Sequence, residues 1–214
     1  MPLAFLGLFG AMWLVQECVL EPASRHELIA WASTNLANLA VNPLGTMLVS
    51  AFVAEGAQAL LMVVIGIGLF PVARRFGNLR GVLLVAASHV LGTVVSEGVA
   101  FLRLELGQLS DSVRTVSDVG PSYVLSAALV AAILYGPGRV PRLLALAGWA
   151  GLAPFLFDGL GSLEVAAVGH LVAMLTGALV GGVLIQLERR RATSPAERTP
   201  RTVPRALEAG PQQA

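Results

Sequence analysis

Lysine is absent from this sequence, and all 14 basic residues are arginine. A chain rich in Ala, Gly, Val, Leu and Arg with no lysine has the composition expected of a GC-rich bacterial genome. Charge of either sign is scarce. Charged residues make up 13% of the chain, against about 25% in an ordinary soluble domain. Hydrophobic residues make up 56%, and the mean hydropathy is +0.76. So little charge cannot cover a water-facing surface, which excludes a soluble globule and points to helices that turn apolar sides to lipid. Cysteine is reduced to Cys18, so no intrachain disulfide forms. No Cys/His group has metal-ligand spacing, and neither a phosphate-binding loop nor a dinucleotide fingerprint occurs, so no metal and no cofactor is expected. The arginines do not interleave with aromatics, which argues against a nucleic-acid partner. No internal repeat is visible, so an inverted-repeat transporter is not suggested.

What is present is a series of six apolar runs, at about 3–20, 57–73, 82–102, 119–136, 141–157 and 164–186. A membrane-crossing helix needs roughly 20 apolar residues. The expected fold is therefore all-α, a polytopic membrane bundle of six transmembrane helices over residues 1–186. A disordered cytoplasmic tail is expected over 187–214, rich in Arg, Pro, Thr and Ala. The first run is read as a span and not as a cleaved signal peptide: it has no basic leader, and Gln16-Glu17-Cys18 is a poor small-residue cleavage site. Arginine placement sets orientation. Eleven arginines (Arg74, Arg75, Arg80, Arg139, Arg142 and the six from Arg189 to Arg205) fall on one side, against Arg25, Arg103 and Arg114 on the other. Both termini are thus expected in the cytoplasm, with the protein in the inner or plasma membrane. The first external connector, about 21–56, is long and partly apolar. It reads as a structured loop at the membrane interface with Trp31 as an anchor.

Ionisable residues inside spans are expensive, about 2.5–3.5 kcal/mol each at the centre on insertion scales, and their default reading is functional. His89 and Glu97 lie in the third span and His170 in the sixth. His89, Thr93 and Glu97 follow i, i+4, i+8 and share a helix face that should turn inward. Ser122 lies four residues into the fourth span and His170 six into the sixth, about 6 and 9 Å below the same surface at 1.5 Å per residue. A Ser and a His at one depth can act as nucleophile and base. The plainer alternative is a packing serine and a histidine making one interhelical hydrogen bond. Ser126, His26 and the loop charges Arg103, Glu105, Asp111 and Arg114 are read as packing or hydrated surface.

Around these residues the chain reads Gly120-Pro121-Ser122-Tyr123, and Gly169-His170 followed by Gly177 and Gly181. With the segment Pro43–Phe52 leading into the second span, this resembles the rhomboid intramembrane serine proteases over residues 1–186. It looks most like the divergent rhomboid-like membrane proteins of actinobacteria, a resemblance carried by Ser33-Thr34-Asn35-Leu36, His89 to Glu97, and Asp118 to Tyr123. The resemblance implies a serine endopeptidase with Ser122 as nucleophile and His170 as general base, cutting peptide bonds in or near transmembrane segments of membrane-protein substrates. It makes Gly120, Gly177 and Gly181 small positions for close helix packing. Gln58, His89, Glu97 and Asp118 are the candidates for oxyanion or auxiliary roles, Asp118 chiefly as a helix cap. The pattern departs from the family at Tyr123, which replaces a glycine, and at Met62, which cannot donate a hydrogen bond. Pro121 has no N–H to offer. The alternative is a catalytically inactive relative that binds transmembrane segments. A small transporter using His89 and Glu97 is the third reading.

Overall fold

A computed structural model of the chain describes residues 1–193. Nine α-helices follow in order: α1 Pro2–Leu14, α2 Pro22–Ala32, α3 Leu36–Val41, α4 Pro43–Ser50, α5 Gln58–Phe76, α6 Asn78–Glu105, α7 Ser122–Tyr135, α8 Arg139–Leu156 and α9 Val165–Thr193. A π-helical turn, Val15–Val19, prolongs α1. No strand occurs among the described residues. The fold is an all-helical membrane bundle. Four helices are long and apolar enough to cross a bilayer: Pro2–Val19, α5, α6 and α9. Helix α7 is apolar but has only 14 residues. Each of the six apolar runs overlaps a helix, though only four of these helices reach spanning length and apolarity where six were expected, and α9 continues past the expected end at 186 to Thr193. The rest of the expected tail lies outside the described residues.

Helix ends follow local chemistry. Pro22 and Pro43 stand in first turns, where the missing N–H costs nothing. Asn35 and Asn42 cap α3 and α4, accepting from the N–H groups of Asn38 and Gly45. Gly77, at φ +82°, turns the chain directly from α5 into α6, a backbone angle that a side chain would strain.

Helix α7 is the axis of the bundle. Every residue from Tyr123 to Leu129 is buried, and α5, α6, α8 and α9 surround it. Small residues let the backbones close in, as membrane packing requires where no hydrophobic force draws helices together. A Cβ on Gly177 of α9 would stand 2.8 Å from the Ala127 carbonyl oxygen, and one on Gly68 of α5 would stand 2.9 Å from the Ala128 Cβ. At about 1.5 Å per residue, α7 spans about 21 Å of a hydrocarbon core about 30 Å thick. A helix of that length does not cross the core unaided, and non-helical backbone at its ends is tolerated within a bilayer where protein surrounds it.

The first connector, folded as α2, α3 and α4, is locked to the turn that leads into Ser122. Thr34 donates its N–H to the Asp118 carbonyl at 2.9 Å and its hydroxyl to Asp118 Oδ2 at 3.0 Å. Ser33 Oγ accepts the Asp118 N–H at 2.8 Å. Ser50 at the end of α4 accepts the Gly120 N–H at 2.9 Å through its carbonyl. Trp31 is half exposed. At the opposite end of the bundle, Arg75 and Arg80 both bond Glu188, at 2.9 and 2.7 Å, tying α5, α6 and α9 together.

Candidate functional site

Ser122 is the first residue of α7 and is half-buried. Gly120 lies in the turn before it and not in a helix contact: at φ +124° it supplies a conformation that suits glycine, and its N–H goes to Ser50. The first N–H groups of α7 have no carbonyl partner within the helix, and no side chain caps them. They make a positive end at Ser122. Ser122 forms part of the wall of a cleft of about 410 Å³, shared with Leu60 and Leu61 of α5, Leu152 and Phe155 of α8, and Glu55 of the connector. Leu60 and Phe155 are 54% and 65% exposed, so the cleft faces the lipid side between α5 and α8.

His170 of α9 is 2% exposed. Its Nδ1 lies 2.9 Å from the Leu156 carbonyl. A carbonyl only accepts, so Nδ1 carries the proton and Nε2 of the neutral ring keeps a bare lone pair. That Nε2 has no hydrogen-bond partner among the described residues. Ser122 and His170 are therefore not hydrogen-bonded in this conformation. Phe155 on the cleft wall packs 6.0 Å from the His170 ring, and Tyr123 meets it edge-on at 5.4 Å.

Tyr123 organises the surroundings. Its ring fills the space left by Gly92 on α6 and Gly169 on α9; a Cβ at Gly169 would run into it, and one at Gly92 would press on it at 3.1 Å. Its hydroxyl donates to Asp118 at 3.0 Å. Asp118 thus receives Thr34 and Tyr123 at once while 9% exposed. Burial pushes its carboxyl above the usual range, against the opposing pull of these two donors. Beyond receiving these bonds, Asp118 makes no cap to α7.

The face carrying His89, Thr93 and Glu97 points inward: the three are 6%, 0% and 3% exposed. His89 Nε2 contacts the Met47 carbonyl at 2.9 Å and Ser50 Oγ at 3.2 Å. The carbonyl again fixes the proton, here on Nε2, so His89 donates toward α4 and cannot accept the Ser50 proton through that atom. This Ser–His contact therefore fastens the connector, with the ring in the tautomer opposite to that of His170. Glu97 Oε2, Thr93 Oγ1 and Ser126 Oγ have no partners among the described residues. Gln58 donates to the Ala54 carbonyl at 3.2 Å, leaving one amide hydrogen uncommitted. Gly177 faces Ala127, and Gly181 faces the Tyr135 ring. Among the described residues no group of His, Cys, Asp and Glu is arranged to hold a metal.

Sequence reasoning treated Tyr123 only as a departure and did not single out Ser50. The available signal was that Gly92 and Gly169 stand at the depth of Tyr123 on the helices flanking it. The model of a family described as rhomboid-like protein matches residues 5–188. No curated protein matches the chain, and no solved structure does.

Proposed function

Since the chain belongs to the rhomboid-like protein family, we propose that it is an intramembrane serine protease that cuts a peptide bond in a transmembrane segment entering the cleft between α5 and α8. The observation that carries this reading is the setting of His170: Nδ1 is spent on the Leu156 carbonyl, and Nε2 is left without a partner on a ring that packs against Phe155, a wall of the cleft that Ser122 also lines.

In this mechanism Ser122 Oγ attacks the substrate carbonyl carbon and its proton passes to His170 Nε2. The oxyanion meets the free N–H groups at the start of α7, with the spare Gln58 amide hydrogen as a second donor. The imidazolium then protonates the leaving amine. A water, deprotonated by the same Nε2, releases the acyl group and restores Ser122. The hydrogen bond between Ser122 and His170 forms as substrate displaces Phe155, consistent with catalytic bonds that tighten only in the complex. Asp118 and Tyr123 hold the ring geometry, and His89 secures the first connector. Arginine placement supports cytoplasmic termini and a cleft near the external face.

A second reading is favoured by one observation. Ser122 and His170 are unbonded, and His170 is sealed from the cleft, so the same cleft could hold a transmembrane segment without cutting it. Labelling of the purified protein with a fluorophosphonate, beside Ser122→Ala and His170→Ala, separates the two. The protease labels and both variants do not. Absence of labelling in the folded parent, with the cleft reachable by probe, assigns the binding role.

A further inference from the structure

Five arginines gather where α5 passes into α6 and α7 passes into α8, and they fall into two groups. Arg75 and Arg80 share the single carboxylate of Glu188, which holds both guanidinium groups and offsets one of their two charges. Arg74, Arg139 and Arg142 make no ion pair among the described residues; Arg142 spends only Nε, on the Gly136 carbonyl at 2.8 Å. The first turn of α8 holds Arg139 and Arg142 and no acidic residue. Cations at the positive end of a helix are unfavourable, and an anion placed there would offset both the dipole and the arginines.

A groove of about 290 Å³ runs from this uncompensated charge into the membrane-spanning region. Ile67, Phe70 and Arg74 of α5 face Pro137, Pro141 and Leu144 across it. Prolines contribute no N–H donor, and the other walls are hydrocarbon, so everything but the rim is apolar. Phe70, Leu143 and Leu144 are 42%, 61% and 51% exposed, which opens the groove to lipid. A guanidinium at the mouth of an apolar slot matches a molecule with an anionic head and a hydrocarbon tail. A free anion would make no use of the slot, and a topology signal would need only the charges.

We infer that this groove binds one anionic phospholipid, its phosphate on Arg74 with Arg139 and Arg142 beside it, and one acyl chain along Ile67, Phe70 and Leu144. Arginine recognises phosphate through paired N–H donors, and basic pockets between transmembrane helices take anionic head groups. The site is separate from Ser122 and does not depend on the proposed hydrolysis.

The test is native mass spectrometry of the full chain in mild detergent, titrated with dioleoyl phosphatidylglycerol and, separately, with dioleoyl phosphatidylcholine. The parent should retain phosphatidylglycerol selectively. Arg74→Gln and Arg142→Gln should lower that selectivity by about fivefold for each arginine removed. Leu144→Trp keeps every charge and fills the slot, and it should lower retention comparably. Arg75→Gln, whose guanidinium is held by Glu188 and does not line the groove, should lower selectivity less than Arg74→Gln does; an equal loss overturns the assignment of the phosphate to Arg74. All four side chains lie on the outside of the bundle, and circular dichroism confirms that each variant is folded. Equal retention of the two lipids by the parent overturns the inference. So does parental retention by Leu144→Trp, which would reduce the site to a basic surface. Glycerol phosphate at millimolar concentration should not displace the lipid; displacement would assign the site to a soluble phosphate ester.

Discussion

Tyr123 shows how one residue can carry a site's architecture without taking part in its chemistry. It stands next to Ser122 in sequence, yet its ring points to α9 and its hydroxyl to Asp118. Tyr123→Phe keeps the ring and removes the donor. It should cost about 1 kcal/mol, the usual scale of a polar contact inside a membrane bundle, read from unfolding titrations in mixed micelles. Gly169→Leu drives a side chain into that ring and should cost about 1–3 kcal/mol as overpacking. If Gly169→Leu unfolds at the parental midpoint, the ring does not occupy the gap between α6 and α9. The two histidines teach a related lesson. Both face a carbonyl, but through different nitrogens, so one is left as an acceptor at Nε2 and the other at Nδ1.

At the scale of elements, the first connector is a folded unit fastened at Asp118 and at His89. Thr34→Val deletes the hydroxyl contacts to Asp118 while leaving the backbone bond between the two residues. Amide exchange should quicken in α3 and in the turn before α7, while α5 and α9 stay protected. Equal protection throughout would mean that the hydroxyl holds nothing. At the other end, Glu188→Gln releases Arg75 and Arg80. All three side chains are about a third exposed, so solvent screens the pairs and the loss should be no more than about 1 kcal/mol. The Gly177–Ala127 approach belongs to this scale as well. Gly177→Leu should part α7 from α9, lower stability by about 1–3 kcal/mol, and abolish fluorophosphonate labelling if Ser122 and His170 act together.

For the molecule as a whole, the distribution of 11 arginines against 3 predicts the orientation. In a Cys18→Ser background, Ser110→Cys and Thr193→Cys place single thiols at exposed positions on opposite ends. A membrane-impermeant maleimide added to intact cells should label Ser110→Cys and leave Thr193→Cys unlabelled until the cells are opened. The reverse pattern would invert the molecule and place the Ser122 end toward the cytoplasm.

The sequence by itself determined that this chain lives in a membrane, because 13% charge cannot clothe a soluble surface. It also located the six apolar runs and the inward face of His89, Thr93 and Glu97, because hydropathy and helical period are local properties of the chain. The family was legible in Gly120 to Tyr123 and in Gly169 to Gly181, since order and spacing survive in one dimension. Only the tertiary structure decided which polar atoms meet. Counting depth along two helices suggests Ser122 and His170 as a pair, but the rings of Tyr123 and Phe155 pack on His170 and its Nε2 has no partner among the described residues. The pairing of Asp118 with Thr34 joins residues 84 apart in the chain, and the proton positions on His89 and His170 depend on carbonyls from other helices. Contacts of this kind are set by packing between elements, which no spacing along the sequence encodes.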